Sequence, residues 1–84
     1  MSLFVNSDEA AKILFDTKSR IIDYAIKHNQ KIITTEQLRA FITTEMRCLK
    51  HAALHTNNPH IALFNEIESL AKQTITTAEQ PKLP

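Results

Sequence analysis

The chain of 84 residues contains no glycine, no tryptophan and only one cysteine. Phosphate-binding loops and tight hairpin turns usually need a residue free to adopt positive φ, so the lack of glycine argues against a nucleotide-binding enzyme and against β-hairpins. The single Cys48 cannot form a disulfide within the chain, which fits a reducing compartment. We therefore expect the fold to be stabilised by packing alone.

Long apolar runs and an excess of one charge are also missing. No stretch approaches the roughly 20 apolar residues that span a bilayer, and the amino terminus lacks the basic and apolar regions of a secretion signal. The net charge is +1 and 43% of the residues are apolar, which is typical neither of a disordered chain nor of a polybasic one. The composition predicts a cytoplasmic globular protein with no membrane contact and no cofactor.

The first predicted helix covers residues 7–28. Prolines stand only at positions 59, 81 and 84, so nothing in this stretch breaks a helix. Ser7 is a suitable N-cap, and three acids are each followed four residues later by a base, the favourable orientation on a helix surface. Apolar residues recur at steps of three and four, which predicts an amphipathic helix. The stripe expected to face the core contains Ala11, Leu14, Phe15, Ile21, Ile22 and Ala25.

The second predicted helix covers residues 34–56 and has the most specific start. Thr34 can cap it, Gln37 can bond back to the cap residue, and Ile33 can pack onto Leu38, a combination of capping box and hydrophobic staple. Its inward stripe is predicted to contain Leu38, Phe41, Ile42, Met46, Leu49 and Ala53.

The third predicted helix covers residues 58–76. Asn57 tolerates the left-handed conformation that closes a helix, Asn58 is a good N-cap, and Pro59 at the first helical position needs no amide partner. The polar residues 77–84 are expected to form a flexible tail. The inward stripe is predicted to contain Ile61, Phe64, Ile67, Leu70, Ala71 and Ile75.

These elements predict an all-α fold, a compact up-down-up three-helix bundle with a single helical domain at residues 1–76. Because so small a core is marginal by itself, a homodimer is one way to add stability. Apolar residues off the main stripes are available for a protein partner. They are Leu3, Phe4, Val5, Leu54 and Leu63, of which the first three have the alternative of folding over an open end of the bundle.

A candidate metal face is formed by Cys48, His51, His55 and His60. The first three lie at i, i+3 and i+7 on one side of the second helix, and zinc accepts both thiolate and imidazole ligands. Structural zinc sites usually take ligand pairs from separate elements, whereas three of these candidates share one helix. The alternative interpretation is a partly buried cysteine with solvent-facing histidines near a helix end.

A candidate nucleic-acid face contains Arg39, Arg47 and Lys50 on the second helix. Glu36 and Glu45 dilute this charge, and tight phosphate binding typically draws on more cations than the three available. Nucleic acid is therefore a disfavoured partner.

Catalysis has less support than binding. Cys48 with His51 or His55 would place a thiol and a base on one regular helix, without a third group to orient them. The sequence therefore predicts a non-enzymatic protein–protein interaction module, acting as an adaptor, chaperone partner, inhibitor or regulator. The alternatives are a small dimeric DNA-binding transcriptional regulator and a metal-binding helical protein.

Overall fold

A computed structural model describes residues 7–80 of the chain, and its regular structure is entirely helical over that range. None of the helices between these residues is both long enough and apolar enough to cross a membrane. The three helices are α1 (Ser7–Asn29), α2 (Thr35–His51) and α3 (Ile61–Glu79).

The contacts between helices fix their directions. Arg20 of α1 bonds to Glu45 of α2, and further along α1 the His28 Nε2 lies 2.9 Å from Thr35 Oγ1 at the start of α2, so these two helices run antiparallel. His60, directly before α3, lies against Ser7 at the start of α1, with Nε2 3.1 Å from the serine Oγ, so α1 and α3 run parallel. Each helix packs against both others. The predicted up-down-up bundle is confirmed.

One continuous core lies between the three helices, and each contributes side chains at the spacing of its inward stripe. Burial of these side chains removes their apolar surface from water, which is the main stabilising term in a bundle without disulfides. Thr17 is the one buried polar residue in the described range. The buried apolar residues are Ala10, Leu14, Ile21, Leu38, Ile42, Leu49, Leu54, Phe64, Ile67 and Ala71.

Some residues predicted to face the core are exposed instead. On α1, Phe15 and Ile22 point to solvent, because α2 and α3 cover the side marked by Leu14 and Ile21, and one position further along a helix is a rotation of about 100°. At the start of α3, Ile61 is also exposed, since the helix has only just begun there.

The start of α2 forms as predicted. The Gln37 backbone N–H donates to Thr34 Oγ1 at 3.1 Å, and the Thr34 backbone N–H donates to Gln37 Oε1 at 2.8 Å. These reciprocal bonds satisfy two backbone donors that the helix itself leaves without partners. Ile33 is partly buried against the core, which is consistent with the predicted staple.

The end of α2 differs from the prediction. The helix stops at His51 rather than near residue 56, because Ala53 adopts a left-handed backbone with φ of 58°. The Ala53 N–H donates to the Lys50 carbonyl, and the Leu54 N–H donates back to the Leu49 carbonyl at 3.1 Å. This pair of bonds is a Schellman motif, which turns the residue after the left-handed position back onto the helix.

Leu54 is therefore a core residue. Its side chain is only 2% exposed, so the prediction that it offers spare surface to a partner is wrong. Leu63 is partly buried and packs against the same core. The other three predicted partner-binding residues, Leu3, Phe4 and Val5, lie outside the described residues.

The connection to α3 also begins differently. Asn57 is left-handed as predicted, with φ of 43°. Asn58 does not cap the helix: its Oδ1 accepts from the His60 backbone N–H at 2.7 Å and its Nδ2 donates to the Leu54 carbonyl. Because these bonds hold the chain in a turn, Pro59 lies before the helix instead of at its first position.

The end of α3 lies further along the chain than predicted. The helix continues to Glu79, so the expected flexible tail at 77–84 is wrong for residues 77–79. Ile75 and Ala78 pack against the core, and Arg39 Nε lies 2.9 Å from Glu79 Oε1. Packing and an ion pair thus compensate for the low helix propensity of the threonine-rich stretch.

Candidate functional site

Three large apolar side chains form a line on the outer side of α1. Phe15 is 57% exposed, Ile22 is 41% exposed and Ile26 is 48% exposed. Their spacing of seven and four residues places them on one face of the helix, and we call them the α1 row. Single exposed apolar residues are common on proteins, whereas an aligned series of this size is a candidate contact surface.

The α1 row lies beside the boundary between α1 and α3. Lys18 is one helical turn from both Phe15 and Ile22, and its Nζ lies 3.1 Å from Glu66 Oε2 of α3. Ala25, one turn from Ile22, lines a groove together with residues of α3. The row therefore runs along the outer edge of this helix pair and is open to solvent.

The opposite flank of α1 is covered by α2. The rings of Tyr24 and Phe41 stack with centroids 3.6 Å apart and planes 6° apart. Arg20 Nε donates to Glu45 Oε1 at 2.6 Å, and Arg20 Nη2 donates to the second carboxylate oxygen at 3.1 Å. Aromatic and charged groups on this flank thus have partners within the bundle.

The bidentate contact with Glu45 also stabilises the charged form of Arg20. The hydrogen bond that Arg20 donates to this carboxylate raises the pKa of Arg20 above its usual range, although burial opposes the shift. Arg20 Nη2 also donates to the hydroxyl of Thr17 at 3.2 Å, which satisfies that buried oxygen. These contacts tie α1 to α2.

The candidate metal ligands are not brought together. Between residues 7 and 80, no three side chains of the metal-binding types lie close enough to hold an ion. His60 bonds to Ser7, His55 lies beside the ring of Phe64, and Cys48 is exposed. The turn that begins after His51 separates the histidines that one continuous helix would have aligned. The metal interpretation is therefore withdrawn.

The candidate nucleic-acid residues are divided between two places. Arg39 pairs with Glu79, whereas Arg47 and Lys50 line a groove of about 360 Å³ between α2 and α3. Lys72 adds a cation to this groove, but Glu68 stands among the cations. Helix-turn-helix readers join their helices by a turn of about 3–4 residues, and the connection at 52–60 is longer. No continuous phosphate-binding face is formed by these residues.

No protein-family model, no curated protein and no solved structure matches the chain. The function is therefore inferred from the surface of the bundle alone.

The α1 row was missed in the sequence because two of its members were assigned to the core. The apolar residues of α1 cover an arc around the helix that includes both Leu14 and Phe15. This arc is wider than the part of the helix that two neighbouring helices can bury. Ile26 continues that arc on the solvent side. The width of an apolar arc, rather than its periodicity, was the signal that could have indicated this surface.

Proposed function

We propose that the protein is a small helical protein–protein interaction module without a catalytic role, and that the α1 row is its docking surface. The observation that supports this is the alignment of Phe15, Ile22 and Ile26, all at least two-fifths exposed, along one helix. Association that covers these side chains removes apolar area from water, and this is the main favourable term in most protein–protein contacts.

The spacing of the α1 row suits contact with another helix. Anchors separated by seven and four residues repeat every one or two turns, which is how helical segments are recognised by apolar surfaces. Lys18 lies on one side of the row and Lys12 and Asp23 lie on the other, which gives the row a polar rim that orients a partner.

Site-specific photo-cross-linking tests the docking surface. A benzophenone-bearing residue replaces Phe15 in one variant and the exposed Ala40, on the outer side of α2, in a matched control. Because the α1 row is the proposed contact, irradiation of purified protein and of native extract should give discrete higher-mass products from position 15 and few from position 40. Electrophoresis and mass spectrometry identify the products.

The same reaction with Ile22→Ser and Ile26→Ser added to the position 15 variant should lose most of the product, since the remaining anchors are removed. Circular dichroism checks that helix content is kept, as expected for solvent-facing positions. Equal yields from positions 15 and 40, or yields insensitive to the two serine substitutions, would contradict the proposal.

A further inference from the structure

We infer that the partner on the α1 row is a second copy of this chain, with the two α1 helices packed antiparallel about a two-fold axis near residues 18 and 19. This inference rests on the proposed function, because it names the occupant of the same surface. It is argued from the arrangement of apolar and charged residues on that face of α1.

The apolar residues of the α1 row are placed for self-pairing. An antiparallel pair with its axis between positions 18 and 19 sets Phe15 of each copy opposite Ile22 of the other. Ile26 then lies opposite Ala11, a small residue that leaves room for it. Each large side chain of the row then has an apolar neighbour in the other copy, and the two-fold axis repeats every such contact. This is the self-complementarity that a two-fold interface requires.

The charges beside the row fit the same arrangement. On the α3 side, Lys18 of the two copies meet near the axis, and each is paired with Glu66 of its own chain. Lys12 and Asp23 lie on one margin of the α1 row, at helical positions separated by only a small rotation. Neither forms an ion pair with another residue in the range 7–80. In the antiparallel pair this margin faces its own copy, so Lys12 of each chain lies opposite Asp23 of the other.

A parallel pair would not join Lys12 to Asp23, because a two-fold axis along the helices brings each margin of the α1 row against the opposite margin of the second copy. It would also align the two helix dipoles and bring two acidic first turns together, where α1 carries Asp8 and Glu9. The antiparallel direction therefore pairs Lys12 with Asp23 and keeps the two acidic first turns apart.

The neighbouring face of α3 allows close approach. Ala62, Ser69 and Thr76 are all exposed and stand seven residues apart, so they share one side of α3. Ala62 and Ser69 flank Glu66, which contacts Lys18 beside the α1 row. Small side chains at these positions leave space for α3 of the second copy next to the paired α1 helices.

Charge exchange tests the inference. Sedimentation equilibrium is measured from about 1 µM to about 1 mM for the natural chain, for Lys12→Asp and for Asp23→Lys. Each single variant should weaken self-association roughly 5- to 30-fold, because two like-charge contacts replace two attractive ones. Circular dichroism of each variant at low concentration verifies that the bundle itself is intact.

Mixing the two single variants provides the decisive measurement. A heterodimer of Lys12→Asp with Asp23→Lys has an opposite-charge pair at both contacts, so the mixture should regain the affinity of the natural chain. The double variant, Lys12→Asp with Asp23→Lys in one chain, should also recover it. Failure of both to recover, with the singles weakened, would overturn the antiparallel arrangement.

The failure of this inference can be told apart from that of the proposed function. A natural chain that stays monomeric up to the highest concentration overturns self-pairing, whereas position 15 can still cross-link specifically to a different protein in extract. A homodimer whose affinity is unchanged by Phe15→Ser also overturns the inference, since self-association would then use another surface, while cross-linking from position 15 still decides the proposed function.

Discussion

The carboxyl ends of α1 and α2 close with the same backbone hydrogen bonds, yet the side chains that follow have opposite environments. At the end of α1, the Lys31 N–H donates to the His28 carbonyl and the Ile32 N–H donates to the Lys27 carbonyl at 2.9 Å. The motif matches the one that places Leu54 after α2. Ile32, however, is 64% exposed, whereas Leu54 is buried.

The difference arises from what each turn faces. The end of α2 turns towards the start of α3, where Phe64 and other core residues can cover Leu54. The end of α1 leads directly into α2 through a short connection, so Ile33 and not Ile32 reaches the core. A local motif therefore fixes the direction of the chain, but burial of its apolar residue depends on the neighbouring helix.

Alanine substitution of Leu54 and of Ile32 should show the largest difference between the ends of α2 and α1. Leu54→Ala should lower the free energy of unfolding by about 2–5 kcal/mol, because it removes a fully buried side chain and leaves a cavity. Ile32→Ala, at the corresponding position after α1, should change it by less than about 0.5 kcal/mol. Urea denaturation monitored by circular dichroism measures both, and similar losses in the two variants would mean that the motif itself, not burial, sets the cost.

Removal of the cap at the start of α2 should have an intermediate effect. Thr34→Ala deletes the hydroxyl that accepts from the Gln37 N–H and should cost about 1 kcal/mol. Thr34→Ser is the matched control, since it keeps the hydroxyl and should retain most of the stability. Thermal unfolding compares the two, and equal melting temperatures for alanine and serine would show that the capping bond contributes nothing.

Glycine at the left-handed positions should give the smallest change, with the opposite sign. Lys31 and Ala53 both have positive φ, at 62° and 58°, and a Cβ is strained there. Lys31→Gly and Ala53→Gly should each raise the free energy of unfolding by about 0.5–1 kcal/mol, as relief of strain exceeds the added freedom of the unfolded chain. Ala52→Gly, at a position with negative φ, is the control and should be destabilising.

The sequence predicted the three helices because periodicity and capping are local properties, and it predicted their directions because short connections favour antiparallel neighbours. The Thr34 and Gln37 pair was read correctly, since both partners lie within one turn. The end of α2 was predicted wrongly, because the left-handed position that ends the helix is usually glycine and is Ala53 here. The residue type at that position does not indicate a helix end.

The candidate site was predicted less well than the fold. Phe15 and Ile22 carry the same residue types as the core, so their exposure depends on where α2 and α3 pack. The grouping of Cys48 with three histidines assumed a helix that continued past His51. Both errors concern relations between elements, which local patterns do not contain.

The parallel course of α1 and α3 has a consequence for re-engineering the chain. Ser7 lies at one end of the bundle beside His60, and Gln80 lies near His28 at the other end. A circular permutant that joins these points must bridge the length of α1, about 34 Å for its 23 residues. The linker from Gln80 to Ser7 needs about ten extended residues, and shorter linkers should force two chains to exchange a helix.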